Sequence, residues 1–156
     1  MSSMQTMQND SKNIPEKIPV GILGATGMVG QNYIRLLKNH PWFKVNFLAA
    51  SPNSAGMRYA YAVDGRWQMA DPIPEDVTDI VVEDVANVRA ASEKCRIVFS
   101  AFETGDKETV KKMENDYAAA GIGVFSNASA NRWADDVPML IPEINWKHLD
   151  MIVMQK

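Results

Sequence analysis

Short apolar runs alternate along this chain with longer stretches in which apolar side chains recur every three or four residues. The short runs are typical of strands in a buried parallel sheet, and the longer stretches are typical of helices that cover such a sheet. Strands are predicted at 18–23, 43–50, 79–84, 95–101 and 122–127, and helices at 28–40, 85–94 and 104–120. This order predicts an α/β fold, Rossmann-like and doubly wound, with a mainly parallel sheet and helices on both faces.

The remaining segments carry turn and boundary signals. Pro41 is expected to stop the first helix, and Thr104 or Gly105 is expected near the cap of the third. Residues 1–16 are polar and lack periodicity, which predicts a disordered leader before a single domain at 17–156. Turns are predicted at 51–65, a loop at 66–78 and an extended run at 136–144.

Composition narrows the possible functions. The 156 residues are 46% hydrophobic, which is enough for one domain with a core, and the net charge of −3 argues against nucleic-acid or membrane-surface binding. One cysteine and two histidines argue against a metal site. No apolar run reaches the length of a membrane span and the N-terminus lacks the apolar core of a secretory signal, so we expect a cytoplasmic protein.

A glycine-rich loop joins the first predicted strand to the first helix. We expect Gly24 to allow a tight turn, Gly27 to let the backbone approach a pyrophosphate, and Gly30 to let the helix pack closely against the sheet. These features predict dinucleotide binding; the alternative is a loop in which the glycines only permit a sharp turn. The N–H groups expected to face the phosphates, aided by the helix dipole, are those of Thr26, Gly27, Met28 and Val29.

The end of the second strand indicates which dinucleotide binds. An Asp or Glu there would accept hydrogen bonds from the ribose hydroxyls of NAD, but residues 50–56 contain no carboxylate. The hydroxyls of Ser51 and Ser54, the amide of Asn53 and the free N–H groups of a turn could bind a 2′-phosphate, and Arg58 lies nearby. We therefore predict NADP rather than NAD; the alternative is an ordinary serine-capped turn.

Several motifs of the chain resemble those of aspartate-semialdehyde dehydrogenase. The most specific is the run from Ser126-Asn127 through Arg132 to DVPMLIPEIN at 136–145, which resembles the archaeal and fungal branch of that family. The resemblance covers residues 18–156. The other motifs are GATGMVG at 24–30, His40-Pro41, ASPNSAG at 50–56 and VFSA at 98–101.

The resemblance implies an NADP-binding domain of an enzyme that interconverts aspartyl phosphate and aspartate semialdehyde, on the route to lysine, methionine and threonine. In this family a cysteine thiolate forms a thioacyl-enzyme, NADPH supplies hydride and a histidine handles protons. The resemblance further implies that Ser100 and Asn127 lie beside the cofactor and that Arg132 faces the small-molecule substrate. It implies a homo-oligomer at full length.

The chain lacks the Asn-Cys motif that carries the catalytic cysteine in this family. We therefore expect that it contains no catalytic residue, ends before the catalytic and dimerisation domain, and has no dehydrogenase activity alone. One alternative is a fragment of an acyl-CoA reductase of the malonyl-CoA reductase type. Another is a stand-alone, non-catalytic nucleotide-binding module.

Three reactive side chains are expected to be structural. Cys95 opens an apolar strand with no histidine beside it in sequence, which indicates a buried, inert thiol. His40 ends a predicted helix and His148 lies in a short terminal segment, and neither is expected to act as a base.

Overall fold

The computed structural model describes residues 16–155, so the leader predicted at 1–16 lies outside the described residues except for Glu16. The strands are β1 (Ile18–Leu23), β2 (Phe43–Ala50), β3 (Glu83–Asp84), β4 (Ile97–Ser100) and β5 (Gly123–Ser126). The helices are α1 (Met28–Leu37), α2 (Tyr59–Ala62), α3 (Glu75–Thr78), α4 (Val88–Lys94), α5 (Lys107–Ala119) and α6 (Pro142–Asn145), and a 3₁₀ helix follows at Trp146–Met154.

The strands form one sheet in the order β3-β2-β1-β4-β5, and every pairing between them is parallel. The chain runs outward from the central strand β1 through β2 to β3, and then returns to the other side of β1 through β4 and β5. The strand order therefore reverses between β1 and β4. In open parallel sheets, ligands bind in the crevice at the carboxyl ends of the strands at this point.

Buried side chains form two apolar clusters, one on each face of the sheet. Ile34 and Leu37 of α1 pack with Val20 of β1 on one face. Val110 and Tyr117 of α5 pack on the other face, together with side chains of β1, β2 and β4. The helices therefore cover both faces, and the predicted doubly wound fold is confirmed.

A bulge in β2 divides its side chains between the two clusters. Val45 pairs with Val20, but Phe47 pairs with Gly21, so Asn46 is an extra residue between two successive pairs. Val45 and Phe47 consequently face opposite clusters although they are two residues apart. A Cβ on Gly21 would lie 2.9 Å from the ring of Phe47, so glycine makes room for that ring.

Several boundaries differ from the sequence predictions. The first helix ends at Leu37 rather than at His40, because Asn39 adopts a left-handed φ of 56°. Asp106 is itself the N-cap of α5, and its carboxylate accepts hydrogen bonds from the N–H groups of Glu108 and Thr109. The strand predicted at 79–84 is reduced to β3, because Val81 forms an isolated antiparallel bridge with Arg58 instead.

The regions predicted to be turns and loops contain short helices. α2 lies within 51–65 and α3 within 66–78, and α6 begins inside the run predicted to be extended at 136–144. α2 and α3 have four residues each, which is too short for helical periodicity to register in the sequence. Their apolar side chains Tyr59, Ala62 and Val77 complete the cluster on the α1 face.

Candidate cofactor-binding groove

Two adjoining clefts lie along the carboxyl ends of the strands. The first, of about 190 Å³, is bounded by the glycine loop, the end of β2 and the segment 101–103 that follows β4. The second, of about 120 Å³, is bounded by that same segment, by α1 and by the residues after β5. We call the two clefts together the groove. Its lining is Gly24, Thr26, Gly27, Ala50 and Ser51 in the first cleft, Val29, Asn127 and Ala128 in the second, and Ala101, Phe102 and Glu103 in both.

Close backbone packing requires glycine at two positions of the loop. Gly24 has a left-handed φ of 76°, and a Cβ on it would lie 2.6 Å from the carbonyl oxygen of Ala101. A Cβ on Gly30 would clash with the carbonyl oxygen of Gly24 and would lie 2.8 Å from the Cα of Ala25. The tight turn expected at Gly24 is present. Gly30 does permit close packing, but α1 packs there against the loop itself rather than against the sheet.

Gly27 differs from these two glycines. It is the N-cap of α1 with an extended backbone, φ −80° and ψ 165°. The nearest atom to a Cβ placed on it would be the carbonyl oxygen of Gly24, at 3.5 Å, which is ordinary contact. The protein's own packing therefore leaves the space over Gly27 open, and Gly27 lines the groove.

The start of α1 carries unpaired backbone donors. In the described part of the chain, the N–H groups of Thr26, Met28 and Val29 have no acceptor. Gly27 differs from the expectation, because its N–H donates to the carbonyl of Gly24 at 3.1 Å. The first turn of α1 contains no acidic side chain. Unpaired N–H groups at the positive end of a helix dipole favour an anion at this end of the groove.

The segment after β2 offers fewer accessible hydrogen-bond donors than its sequence indicated. Ser51 is exposed and lines the groove, whereas Ser54 is only 3% exposed and lies outside the lining. Free N–H groups of a turn were expected here, but those of Ser54, Ala55 and Gly56 each donate to a carbonyl of the protein. The guanidinium of Arg58 forms an exposed ion pair with Asp79, with 3.1 Å between Nη1 and Oδ1.

Asn127 lies at the opposite end of the groove, directly after β5. Its backbone N–H donates to the carbonyl of Ser100 at 2.9 Å, which continues the pairing of β4 with β5. Its side-chain Oδ1 accepts a hydrogen bond of 2.9 Å from the hydroxyl of Tyr33 on α1. This hydrogen bond from α1 therefore fixes the oxygen of the Asn127 side chain.

A buried carboxylate supports the segment that carries Asn127. Glu114 of α5 is 3% exposed. It accepts a 2.5 Å hydrogen bond from the hydroxyl of Ser126 and a 3.0 Å hydrogen bond from the amide of Asn131. The Ser126 oxygen in turn accepts from the N–H of Ala128 at 3.0 Å. Glu114 thereby joins α5 to both sides of Asn127.

Two residues assigned by resemblance lie outside the lining. Ser100 is completely buried on β4, and its hydroxyl has no hydrogen-bond partner among the described residues. Arg132 is exposed in the segment after β5. Neither lines the groove, so any contact of these side chains with a ligand would need a change in the groove or a ligand that reaches past it.

Sequence reasoning overlooked the segment Ala101–Glu103, which lines both clefts. Only the position of this segment could have indicated a ligand site, because it directly follows the carboxyl end of β4, next to the reversal of strand order. The backbone of this segment also explains the glycine at Gly24, which it approaches closely.

Cys95 is buried at the amino end of β4, the end of the sheet opposite the groove. Its thiol donates to the carbonyl of Ala91 at 3.2 Å, and burial raises the pKa of this thiol to about 11. A thiol of this kind remains protonated and shielded at neutral pH. His40 is also engaged structurally, since its Nδ1 accepts hydrogen bonds from the backbone N–H groups of Trp42 and Phe43, at 3.2 Å each.

Residues 19–152 match the family described as semialdehyde dehydrogenase, NAD binding domain. The chain belongs to this family. The glycine loop and the groove therefore lie in a domain type that is defined by NAD binding, and the predicted resemblance is confirmed.

Within the family, similar relatives come from archaea and fungi, as the motif at 136–145 indicated. Aspartate-semialdehyde dehydrogenase of Archaeoglobus fulgidus is 45% identical over 139 residues, which cover 88% of this chain and 38% of that protein. The enzyme of the same name from Saccharomyces cerevisiae is 43% identical over 136 residues, which cover 87% of this chain and 35% of that protein. The chain thus spans less than two-fifths of the length of these relatives.

A crystal structure of aspartate-semialdehyde dehydrogenase with NADP from Candida albicans has the same fold. It superimposes with a TM-score of 0.77 at 37% sequence identity, and the match covers 86% of this chain and 36% of that one. Among the described residues, no helix is both long and apolar enough to cross a membrane.

Proposed function

We propose that this chain is the NADP-binding domain of an aspartate-semialdehyde dehydrogenase. The observation that carries the proposal is the groove at the reversal of strand order, with the glycine loop at one end and, among the described residues, unpaired N–H groups at the start of α1. Membership of the family and the NADP-bound structure of the Candida albicans relative support the choice of cofactor.

The residues present fit a pyrophosphate at the loop. The open space over Gly27 is the decisive feature, because a side chain there would fit the protein and would fill only the groove. Thr26, Met28 and Val29 would donate N–H groups to the phosphates, and Gly24 would set the turn that brings them together. The nicotinamide of the bound cofactor would accept or supply hydride.

The choice of NADP over NAD rests on the segment after β2. No carboxylate stands there to repel a 2′-phosphate, and the exposed hydroxyl of Ser51 lies in the lining. We propose Ser51 as the main side-chain donor to the 2′-phosphate, with Ser54 contributing only if its turn opens. A charge-assisted hydrogen bond of this kind contributes on the order of 1.5–3 kcal/mol.

Asn127, Ser100 and Arg132 complete the proposal at the other end of the groove. Asn127 lines the second cleft and would contact the nicotinamide half of the cofactor. Ser100 would lie along the cofactor and contact it after a change in the groove, and Arg132 would face a substrate held beyond the groove. The substrate class is aspartyl phosphate and aspartate semialdehyde, and the proposed full assembly is a cytoplasmic homo-oligomer.

The described residues alone are proposed to lack dehydrogenase activity. Thioacyl chemistry needs a thiolate beside the nicotinamide, and the buried thiol of Cys95 lies at the opposite end of the sheet. The assay is phosphate-dependent NADPH formation from aspartate semialdehyde, with Cys95→Ser as the control. Turnover by the wild type that disappears in Cys95→Ser would overturn this part of the proposal.

Calorimetric titration with NADP⁺ and with NAD⁺ tests cofactor binding. We expect tighter binding of NADP⁺; equal affinities would overturn the NADP assignment, and no binding of either would overturn the dinucleotide site. Gly27→Val should abolish binding while leaving the circular dichroism spectrum native. Gly105→Val is the matched control, because a Cβ at Gly105 would meet nothing within 4 Å and Gly105 lies outside the lining.

A further inference from the structure

We propose that Tyr59 and Gln31 are positioning residues that hold the glycine loop in the conformation that directs the N–H of Thr26 toward the groove and closes the turn at Gly27. Neither side chain lines the groove. Both bind backbone carbonyl groups of the loop, those of Ala25 and Thr26, which are consecutive. The inference rests on the proposed function, because it concerns the loop that would hold the pyrophosphate.

Tyr59 fixes the first of these carbonyl groups. It is completely buried on α2, and its hydroxyl donates a 2.9 Å hydrogen bond to the carbonyl oxygen of Ala25. The peptide bond between Ala25 and Thr26 is trans. In a planar trans peptide the carbonyl and the following N–H point in opposite directions. With the Ala25 carbonyl held in the core, the N–H of Thr26 is directed away from the core, and Thr26 lines the groove.

The Tyr59 hydroxyl is a permanent donor in this position. Burial raises its pKa well above the usual value of 10.0, so the hydroxyl remains protonated at neutral pH. Loss of the hydroxyl would leave the Ala25 carbonyl buried without a partner, which favours rotation of this peptide toward water.

Gln31 fixes the second carbonyl group. Its Nε2 donates to the carbonyl oxygens of Thr26 at 3.0 Å and of Arg66 at 2.9 Å, and its Oε1 accepts from the N–H of Gln68 at 2.8 Å. Gln31 is 1% exposed, so its side chain makes all three bonds while shielded from water. With the Thr26 carbonyl held in this way, the next N–H, that of Gly27, closes the turn by donating to Gly24.

Both contacts connect the loop to the same support, residues 59–68. The ring of Tyr59 packs edge-on against Trp67, with 6.4 Å between the ring centroids. The sequence predicted only turns and loops across these residues. The structure assigns them a role in preorganising the loop, which lowers the cost of ordering it when an anion binds.

The test uses Tyr59→Phe and Gln31→Met, with Tyr117→Phe as the matched control. Tyr117 is equally buried, and its hydroxyl donates to the carbonyl of Val85 at 3.0 Å on the opposite face of the sheet. We expect Tyr59→Phe and Gln31→Met to weaken NADP⁺ binding by roughly three- to tenfold. Inorganic pyrophosphate is the second probe, and in the wild type it should shift the NMR resonance of the Thr26 amide. The affinity obtained from this shift should fall in both variants.

Tyr117→Phe should lower the denaturation midpoint to a similar extent as Tyr59→Phe does. Its affinities for NADP⁺ and for pyrophosphate should stay within about twofold of the wild-type values. Unchanged affinities in Tyr59→Phe and Gln31→Met would overturn the inference and leave the proposed function intact. Equal weakening in Tyr117→Phe would also overturn the inference, because general loss of a core hydrogen bond would then account for the effect. A wild type that binds neither NADP⁺ nor pyrophosphate would overturn the proposed function and this inference together.

Discussion

The hydroxyl of Tyr33 donates a 2.9 Å hydrogen bond to the side-chain oxygen of Asn127, which follows it by 94 residues. Tyr33 belongs to α1, the helix that begins at the glycine loop, and Asn127 lines the far cleft. One helix therefore contributes to both ends of the groove. The bond also sets the amide orientation of Asn127, because the oxygen accepts from Tyr33 and the amino group remains available as a donor.

Tyr33→Phe should weaken binding of NADP⁺ about threefold to tenfold without changing the affinity for 2′,5′-ADP, which lacks the nicotinamide half. The physical reason is loss of the group that orients Asn127. Calorimetry with the two ligands measures the difference. Tyr61→Phe is the control, since Tyr61 is 73% exposed and should tolerate the change. Equal weakening for both ligands would contradict the assigned role of Tyr33.

Glu114→Gln should destabilise the domain by about 1–3 kcal/mol. The NH₂ group of glutamine is itself a donor, and it would face the donor group of either Ser126 or Asn131 in place of a carboxylate oxygen. Urea denaturation measures the change in the free energy of unfolding. The exposed Glu93→Gln serves as a control that should change stability by less than about 0.5 kcal/mol. Similar stability of the two variants would show that the buried carboxylate does not anchor the segment after β5.

Gly30→Ala should lower the free energy of unfolding by about 1–3 kcal/mol, because the added methyl group would overlap the carbonyl of Gly24. Thermal and urea denaturation both report this loss. Gly105→Ala introduces the same methyl group into open space and should be nearly neutral. A stable Gly30→Ala variant would mean that α1 does not pack against the loop as closely as described.

Cys95 should react with a neutral thiol reagent far more slowly in the folded protein than in urea. Its pKa is raised by burial from 9.0 to about 11, so the thiolate is scarce below pH 9. The rate of modification across pH 7–9 measures this effect. Because the folded pKa is the higher one, the stabilisation by the protonated thiol is complete below pH 9 and declines as pH rises toward 11. Rapid modification at pH 7 would contradict the burial of this residue.

Asp106 should stabilise α5 most at neutral pH. Hydrogen bonds from the side chain of Thr109 and the backbone of Glu108 lower the pKa of this carboxylate below 3.8. A lowered pKa means that the stabilisation is present above pH 3.8 and is lost as pH falls through the folded-state value. Asp106→Ala should therefore destabilise the domain at pH 7 by more than it does at pH 2.5, as measured by urea denaturation. An equal effect at both values would exclude an ionic contribution to the cap.

Local patterns in the sequence determined the central strands of the sheet and the glycine loop at one end of the groove. β1 and β2 have the predicted bounds, since a strand in a buried parallel sheet is recognised from a continuous apolar run. The glycine loop could also be recognised in the sequence, because a tight turn from a strand into a helix restricts which residue types fit at a few consecutive positions. These features depend on neighbours in sequence, which is the range over which periodicity carries information.

Tertiary structure decided everything that depends on residues distant in sequence. The bulge at Asn46 is defined by the register of β2 against β1, and the burial of Glu114 is defined by Ser126 and Asn131 packing over α5. Residues 59–68 looked like turns because their short helix has too few residues for a period, yet Tyr59 reaches back to the loop across 34 residues. A hydrogen bond across such a separation depends on how the chain brings two segments together, and no local pattern of apolar and polar residues encodes it.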